Sequence, residues 1–501
     1  MIYMSINTHD YDNDVRVMTG AFYPGNRIVT DTALKNDCDL CVEVIVESVK
    51  VHICVTPEGG KEHIIDCDSP ENDRKVIRNM LKRRLYDIYS EITGRVLPWG
   101  TLTGIRPVKI PLGMIEKGYN DNVIKDTLNK EYYVNDTKAE LSIEVAHREH
   151  RMLEKTDYLN GYSLYIGIPF CPTTCLYCSF TSYPLSMYRD KVDEYLDALI
   201  KELTFISGYM NGRGPDTIYI GGGTPTTLTA GQSDRLISSI EELFDLNGLE
   251  EFTVEAGRPD SIDIDKLKIL RKHGIDRISI NPQTMNQKTL DLIGRRHTVD
   301  QVVDAFNLAR ELGFDNINMD LIVGLPGENK EDVRYTLNRV GILKPDSLTV
   351  HSLAIKRAAA LNIFKDKYKG LCSENTDELM DMTYDFAESM GMKPYYLYRQ
   401  KNMSGNFENV GFAREGAEGL YNILIMEEKQ TILAAGANAQ TKIVYNSPPR
   451  VDRIENVKSV DDYIRRTDEM IERKRCYFNG KSMEITEKNG LTKESPHDIM
   501  I

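Results

Sequence analysis

The 501-residue chain predicts an α/β protein: six βα units that curl into a partial (β/α)6 barrel, behind a small N-terminal α+β domain and ahead of an α-rich C-terminal extension. Three observations carry this. Short apolar runs near 163–168, 216–220, 251–255, 276–280, 316–322 and 347–353 alternate with helical stretches such as 192–208. Before about residue 95 the pattern changes to strands of alternating polarity. The later runs end in glycine, cysteine, carboxylate and amide residues, and ligands collect at the C-terminal strand ends of parallel barrels.

Residues 1–95 contain the strand-like runs Cys41–Val46 and Lys50–Val55, a turn at Pro57-Glu58-Gly59-Gly60, and a basic amphipathic helix over Asp73–Thr93. Residues 96–158 read as a helical connector, turn-rich over Leu97–Pro107 and helical through Arg151. The barrel takes 159–370 and an α/β extension takes 371–480. A polar tail, 481–501, is expected to fray. A net charge of −14 and a pI near 5.3 exclude the basic footprint of a nucleic-acid binder, while 41% hydrophobic residues suffice for proper cores. No stretch approaches 18 apolar residues, and Met1–Asn7 lacks a charged-then-apolar leader, so the expectation is a cytoplasmic protein without a membrane span. Nine cysteines, an odd number, read as reduced thiols rather than disulfides.

Three of those cysteines, Cys171, Cys175 and Cys178, form a C-x3-C-x2-C loop directly after the apolar run Tyr165–Ile168. Thiolates are the usual ligands of iron–sulfur clusters, and three of them on a four-iron cluster leave one iron open to a small molecule. That suits an enzyme that binds and cleaves S-adenosylmethionine (SAM). Zinc would normally close its shell with a fourth Cys or His, but Ser179, Phe180, Thr181 and Ser182 follow. Three buried structural cysteines are the bland alternative. The pair Cys38 and Cys41 has no second pair at zinc spacing beside it.

The cysteine loop resembles that of the radical SAM superfamily. Gly221-Gly222-Gly223-Thr224-Pro225-Thr226 resembles its glycine-rich loop in the form found among oxygen-independent coproporphyrinogen III oxidases. Val254-Glu255-Ala256-Gly257-Arg258-Pro259, Arg277–Gln283 and Met319–Gly327 resemble further motifs of that family in order and spacing. The likeness covers about residues 160–445, and with the long N-terminal region it is most similar to the coproporphyrinogen dehydrogenase type. It implies a radical SAM barrel, a 4Fe–4S cluster on Cys171, Cys175 and Cys178, and SAM lined by Tyr165, Gly222, Gly223, Thr224 and Glu255. Tyr177, Gln283, Arg295 and Asp320 match positions that imply a second SAM, or a substrate carboxylate, beside the first.

The implied reaction is oxidative decarboxylation of two propionates of coproporphyrinogen III to give protoporphyrinogen IX in haem biosynthesis. Electrons would come from a donor such as flavodoxin or ferredoxin. Arg258, Arg295, Arg296 and Arg399 are candidate partners for the tetrapyrrole's carboxylates. The resemblance departs at one position: the authenticated oxidases carry a cysteine where this chain has Phe180, and the family's haem-binding chaperones also lack it. Haem binding or other tetrapyrrole chemistry is therefore the alternative, with His351, at a strand end, a possible iron ligand or simply a hydrogen-bonded structural residue.

Overall fold

The computed structural model describes residues 1–480 apart from 49, 69–72, 179–181, 355–374, 401–406 and 447. Phe180, the 370/371 boundary and the 481–501 tail lie outside the described residues. The chain divides into two compact units, Met1–His150 with Leu397–Asn409, and Arg151–Tyr396 with Val410–Ile501.

In the first unit, β1 (Ile2–Ile6), β2 (Ile28–Val29), β3 (Leu40–Val46), β4 (Lys50–Pro57) and β5 (His63–Asp68) form one sheet in the order β2-β1-β3-β4-β5. β1 runs parallel to β2 and β3, whereas β3, β4 and β5 are antiparallel. Alternation along β3 and β4 turns Leu40, Val42, Val44, Val51, Ile53 and Val55 to one face. Helices Asp12–Phe22 and Arg74–Thr93 close that core. Ile77, Leu81, Leu85, Ile88 and Tyr89 form the buried stripe of the second helix, and burying each large apolar side chain contributes roughly 1.5–3 kcal/mol. The Asp73 carboxylate caps that helix at the Lys75 amide, and Gly94, at φ +67°, ends it.

The second unit is built on β6 (Tyr162–Ile168), a two-residue ladder of β7 (Phe170–Cys171) with β8 (Tyr183–Pro184), then β9 (Thr217–Gly222), β10 (Glu251–Glu255), β11 (Arg277–Ser279), β12 (Asn316–Val323) and β13 (Ser347–Ser352). β6, β9, β10, β11, β12 and β13 lie side by side, all parallel, in the order in which the chain makes them. Each returns through a helix, among them Val192–Tyr209, Ala230–Leu243, Val299–Glu311 and Lys330–Leu343. The pairings Ile168↔Gly222, Val254↔Ile220, Glu255↔Ser279 and Ile322↔His351 bring the C-terminal ends of the strands to one rim.

The C-terminal extension contributes both helices and strands. β14 (Lys393–Tyr398) and β15 (Asn409–Ala413) add to the β13 side of the sheet, while β16 (Thr431–Ala435), β17 (Gln440–Asn446) and β18 (Pro449–Glu455) add to the β6 side. An open barrel leaves the backbone of its first and last strands unpaired, and these additions satisfy both edges. Glu202, fully buried on helix Val192–Tyr209, anchors the β6 side. It accepts from Lys474 Nζ (2.6 Å), Asn456 Nδ2 (2.9 Å), the Gly436 amide (2.9 Å) and Tyr463 Oη (2.5 Å).

Candidate active site

The cysteine segment leaves β6 and is held in place from three directions. The β7–β8 ladder and a bond from the Tyr183 amide to Pro169 O (2.9 Å) bracket it. The glycine-rich loop after β9 is stitched to it by the Gly223 amide on Ile168 O and the Thr224 amide on Phe170 O, both 2.7 Å. On the other side, the Leu176 amide donates to Ile293 O (3.0 Å) and Thr173 Oγ1 to Gly294 O (3.4 Å). Cys175 is buried, and Cys171 and Cys178 are half-buried. Cys171 accepts a hydrogen bond from Thr224 Oγ1 (3.5 Å) and Cys175 one from Arg258 Nη1 (3.6 Å). Burial pushes the Cys171 thiol up.

The glycines are required by close approach. Gly222 sits at φ +105°, and a Cβ at Gly223 would lie 2.6 Å from Phe170 O and 2.8 Å from Ile168 O. The Gly223 and Thr224 amides are taken up by the cysteine loop, so a ligand here would meet the loop's carbonyl side.

Beside this loop three tyrosine rings stack. Tyr165 and Tyr219 are 6.3 Å apart between centroids, and Tyr219 and Tyr421 are 4.5 Å apart. Tyr219 Oη donates to Glu255 Oε1 at 2.5 Å. Glu255 is pushed up to about 7, chiefly by burial and further by the Asp320 charge, against the opposing bond from Tyr219. His351 Nε2 stands 3.7 Å from Asp320 Oδ2. Glu255 therefore changes charge near neutrality in a site walled by aromatic rings, which is where functional carboxylates are found.

Tyr177 and Arg295 meet directly. Arg295, 3% exposed, donates from Nη1 to Tyr177 Oη (2.9 Å) and from Nη2 to Gly257 O (2.9 Å) and Asn281 O (2.6 Å). It is no solvated helix residue. Nor does it pair with Asp320: the two lie on either side of Asn281, whose Oδ1 accepts from the Asp320 amide (3.2 Å) while Asn318 Nδ2 donates to Asp320 Oδ1 (2.7 Å). Asp320 lies within β12, so it caps no helix. Gln283, at φ +68°, donates its backbone amide to Asp320 O (2.9 Å), and among the described residues its buried Oε1 has no hydrogen-bond partner.

The four arginines considered for substrate carboxylates divide differently. Arg258 is spent on the cysteine loop and Asp260, and Arg295 on Tyr177 and two carbonyls. Arg399, 4% exposed, bonds Leu102 O within the other unit. Arg296 alone of the four is exposed.

Tyr219, Tyr421, Asn281 and His297 join the site without a sequence signal that assigns them to it. Tyr219 was open to discovery, since it lies across from Tyr165 on the neighbouring strand. Tyr421 comes from a helix about two hundred residues later in the chain, and no local pattern announces it. His297 is fully buried, and among the described residues neither ring nitrogen has a hydrogen-bond partner. Burial and the charges of Arg295 and Arg258 push it down to about 3, which keeps it neutral.

The radical SAM superfamily model matches residues 165–340. The oxygen-independent coproporphyrinogen-III oxidase-like protein HemZ of Bacillus subtilis (strain 168) is 38% identical over 449 residues, spanning 86% of this chain and 90% of that protein. The chain belongs to the oxygen-independent coproporphyrinogen III oxidase family of radical SAM proteins. The heme chaperone HemW of the same organism is 34% identical across 55% of this chain and 70% of its own length. Among solved structures, coproporphyrinogen III oxidase (HemN) from Escherichia coli superposes with a TM-score of 0.51 at 26% identity, covering 64% of this chain and 73% of that one.

Membership of the radical SAM superfamily implies a 4Fe–4S cluster and SAM, and the residues present fit both. The cysteine segment offers three thiols, with Cys171 and Cys175 receiving hydrogen bonds at sulfur, beside a glycine cradle that a Cβ at Gly223 would fill. Among the described residues, no three ligating side chains gather around a single point. A cluster spreads its thiolates over separate irons, so its ligands do not have to meet as those of a lone ion do. Among the described residues, no helix is long and apolar enough to cross a membrane.

Proposed function

We propose that this protein is a cytoplasmic radical SAM enzyme of haem biosynthesis that oxidatively decarboxylates coproporphyrinogen III to protoporphyrinogen IX. The observation that carries the reading is the Cys171–Cys178 loop stitched to the Gly222–Thr224 cradle at the same rim as Glu255 and Asp320. Cys171, Cys175 and Cys178 hold the cluster, fed by a small electron donor such as flavodoxin or ferredoxin. When bound, the cluster and SAM supply a carbon radical able to take a hydrogen atom from a propionate β-carbon.

The chain's own residues position and shield. Gly222, Gly223 and Glu255 would hold SAM's amino end, with Tyr219 keeping the Glu255 carboxylate in place. Tyr165 and Tyr421 wall off water. Gln283 Oε1 and the Asp320 carboxylate offer acceptors to a second SAM or to substrate groups. Arg295 fixes Tyr177 and the loops after β10 and β11, so it acts by shaping this second pocket.

An anaerobic assay tests the proposal. Reconstituted protein with SAM, reductant and coproporphyrinogen III is expected to give vinyl product and 5′-deoxyadenosine in step, and Cys171→Ala, Cys175→Ala and Cys178→Ala each to lose iron and both products together. Tight haem binding with no consumption of coproporphyrinogen would move the assignment to the chaperone side of the family.

A further inference from the structure

Arg258 is a cationic side chain that touches a cysteine of the loop. It sits just beyond β10, 3% exposed. Nε and Nη2 clasp the Asp260 carboxylate at 2.9 Å each, a bidentate fork. Nη1 reaches Cys175 Sγ (3.6 Å), Thr173 O (3.3 Å) and Thr173 Oγ1 (3.2 Å), and Nη2 also reaches Thr173 Oγ1 (3.2 Å). Its backbone is pinned as firmly: Arg258 O accepts from Ser261 Oγ (2.7 Å) and the Ser261 amide (2.9 Å), and Ser261 Oγ is 2.6 Å from Thr226 Oγ1 in the glycine-rich loop. The guanidinium is thus aimed at the sulfur by protein alone, and Asp260 offsets only part of its field.

We propose that Arg258 is a positioning residue that sets the cluster's reduction potential, with Asp260 as its counterweight. This rests on the assignment of Cys175 as a cluster ligand. An N–H donor and a positive charge at a ligand sulfur stabilise the reduced cluster, which carries one more electron, so Arg258 raises the potential and eases electron entry. Removing the Asp260 charge leaves Arg258 less compensated and raises the potential further. The two neighbours therefore act with opposite signs, which a merely structural contact would not produce.

The test is a redox titration of full-length, anaerobically reconstituted protein, followed by electron paramagnetic resonance alongside iron and sulfide content. At the wild-type midpoint, Arg258→Gln is expected to lower the ratio of reduced to oxidised cluster at least tenfold, equivalent to about 59 mV for one electron. Arg258→Lys should recover part of this, and Asp260→Asn should shift the ratio the other way. A full-iron Arg258→Gln protein whose ratio stays within twofold of wild type overturns the proposal. If that variant takes up no cluster, Asp260→Asn decides: a raised midpoint supports the proposal, and an unchanged or lowered one overturns it. Wild-type protein that holds no cluster would instead bring down the cysteine assignment itself, and this proposal with it.

Discussion

Glu202 and Glu255 are both enclosed carboxylates of the second unit, and they are treated in opposite ways. Glu202 receives five hydrogen bonds from four groups, Lys474, Asn456, Gly436 and Tyr463, and has no accessible surface. Glu255 is half-buried, accepts from Tyr219 and the Gly222 amide, faces a second carboxylate at Asp320, and is pushed up to about 7. A saturated buried charge locks elements together, here helix Val192–Tyr209 to the β16–β18 side of the sheet. An under-saturated one keeps acceptor capacity for a further partner. The difference separates scaffold from site more sharply than burial does.

The largest way to break this comparison is at the scaffold end. Lys474→Met should strand the Glu202 charge and cost about 3–5 kcal/mol of stability, read as a lowered midpoint in urea. A loss under 1 kcal/mol would deny Glu202 its anchoring role. Next comes pH. Unfolded glutamate titrates near 4.5 and folded Glu255 near 7, so its contribution to stability is complete below pH 4.5 and is lost as pH rises through 7. The stability of wild type minus that of Glu255→Gln should fall by up to roughly 3 kcal/mol between pH 4.5 and 8. A flat difference would mean that Glu255 ionises normally.

A smaller effect is expected on the ligand. Glu255→Gln should weaken SAM binding about ten- to a hundredfold, or roughly 1.4–2.8 kcal/mol, by calorimetry on protein with unchanged iron. Unaltered affinity would return Glu255 to the scaffold class. Smallest of all, Arg296→Ala should change stability by no more than about 0.5 kcal/mol, since its side chain lies in solvent. A larger cost would show that the arginine is packed.

The sequence alone determined the six parallel strands, because apolar runs bounded by glycine and carboxylate leave few other choices once βα crossovers are right-handed. It likewise set out the cysteine loop, the glycine cradle and Glu255, since each lies within a dozen residues of a strand end and is marked by a local pattern. What tertiary structure decided is who touches whom. Arg295 and Asp320 each bond to Asn281 rather than to one another, and Arg258, one of four candidate partners for substrate carboxylates, reaches Cys175. The two open edges of the barrel recruited strands from the C-terminal extension. Tyr421 reaches the Tyr165–Tyr219 stack across more than two hundred residues. Such partnerships follow from register, edge satisfaction and the direction of side chains once the sheet is assembled, and none of these is encoded within a local window of sequence.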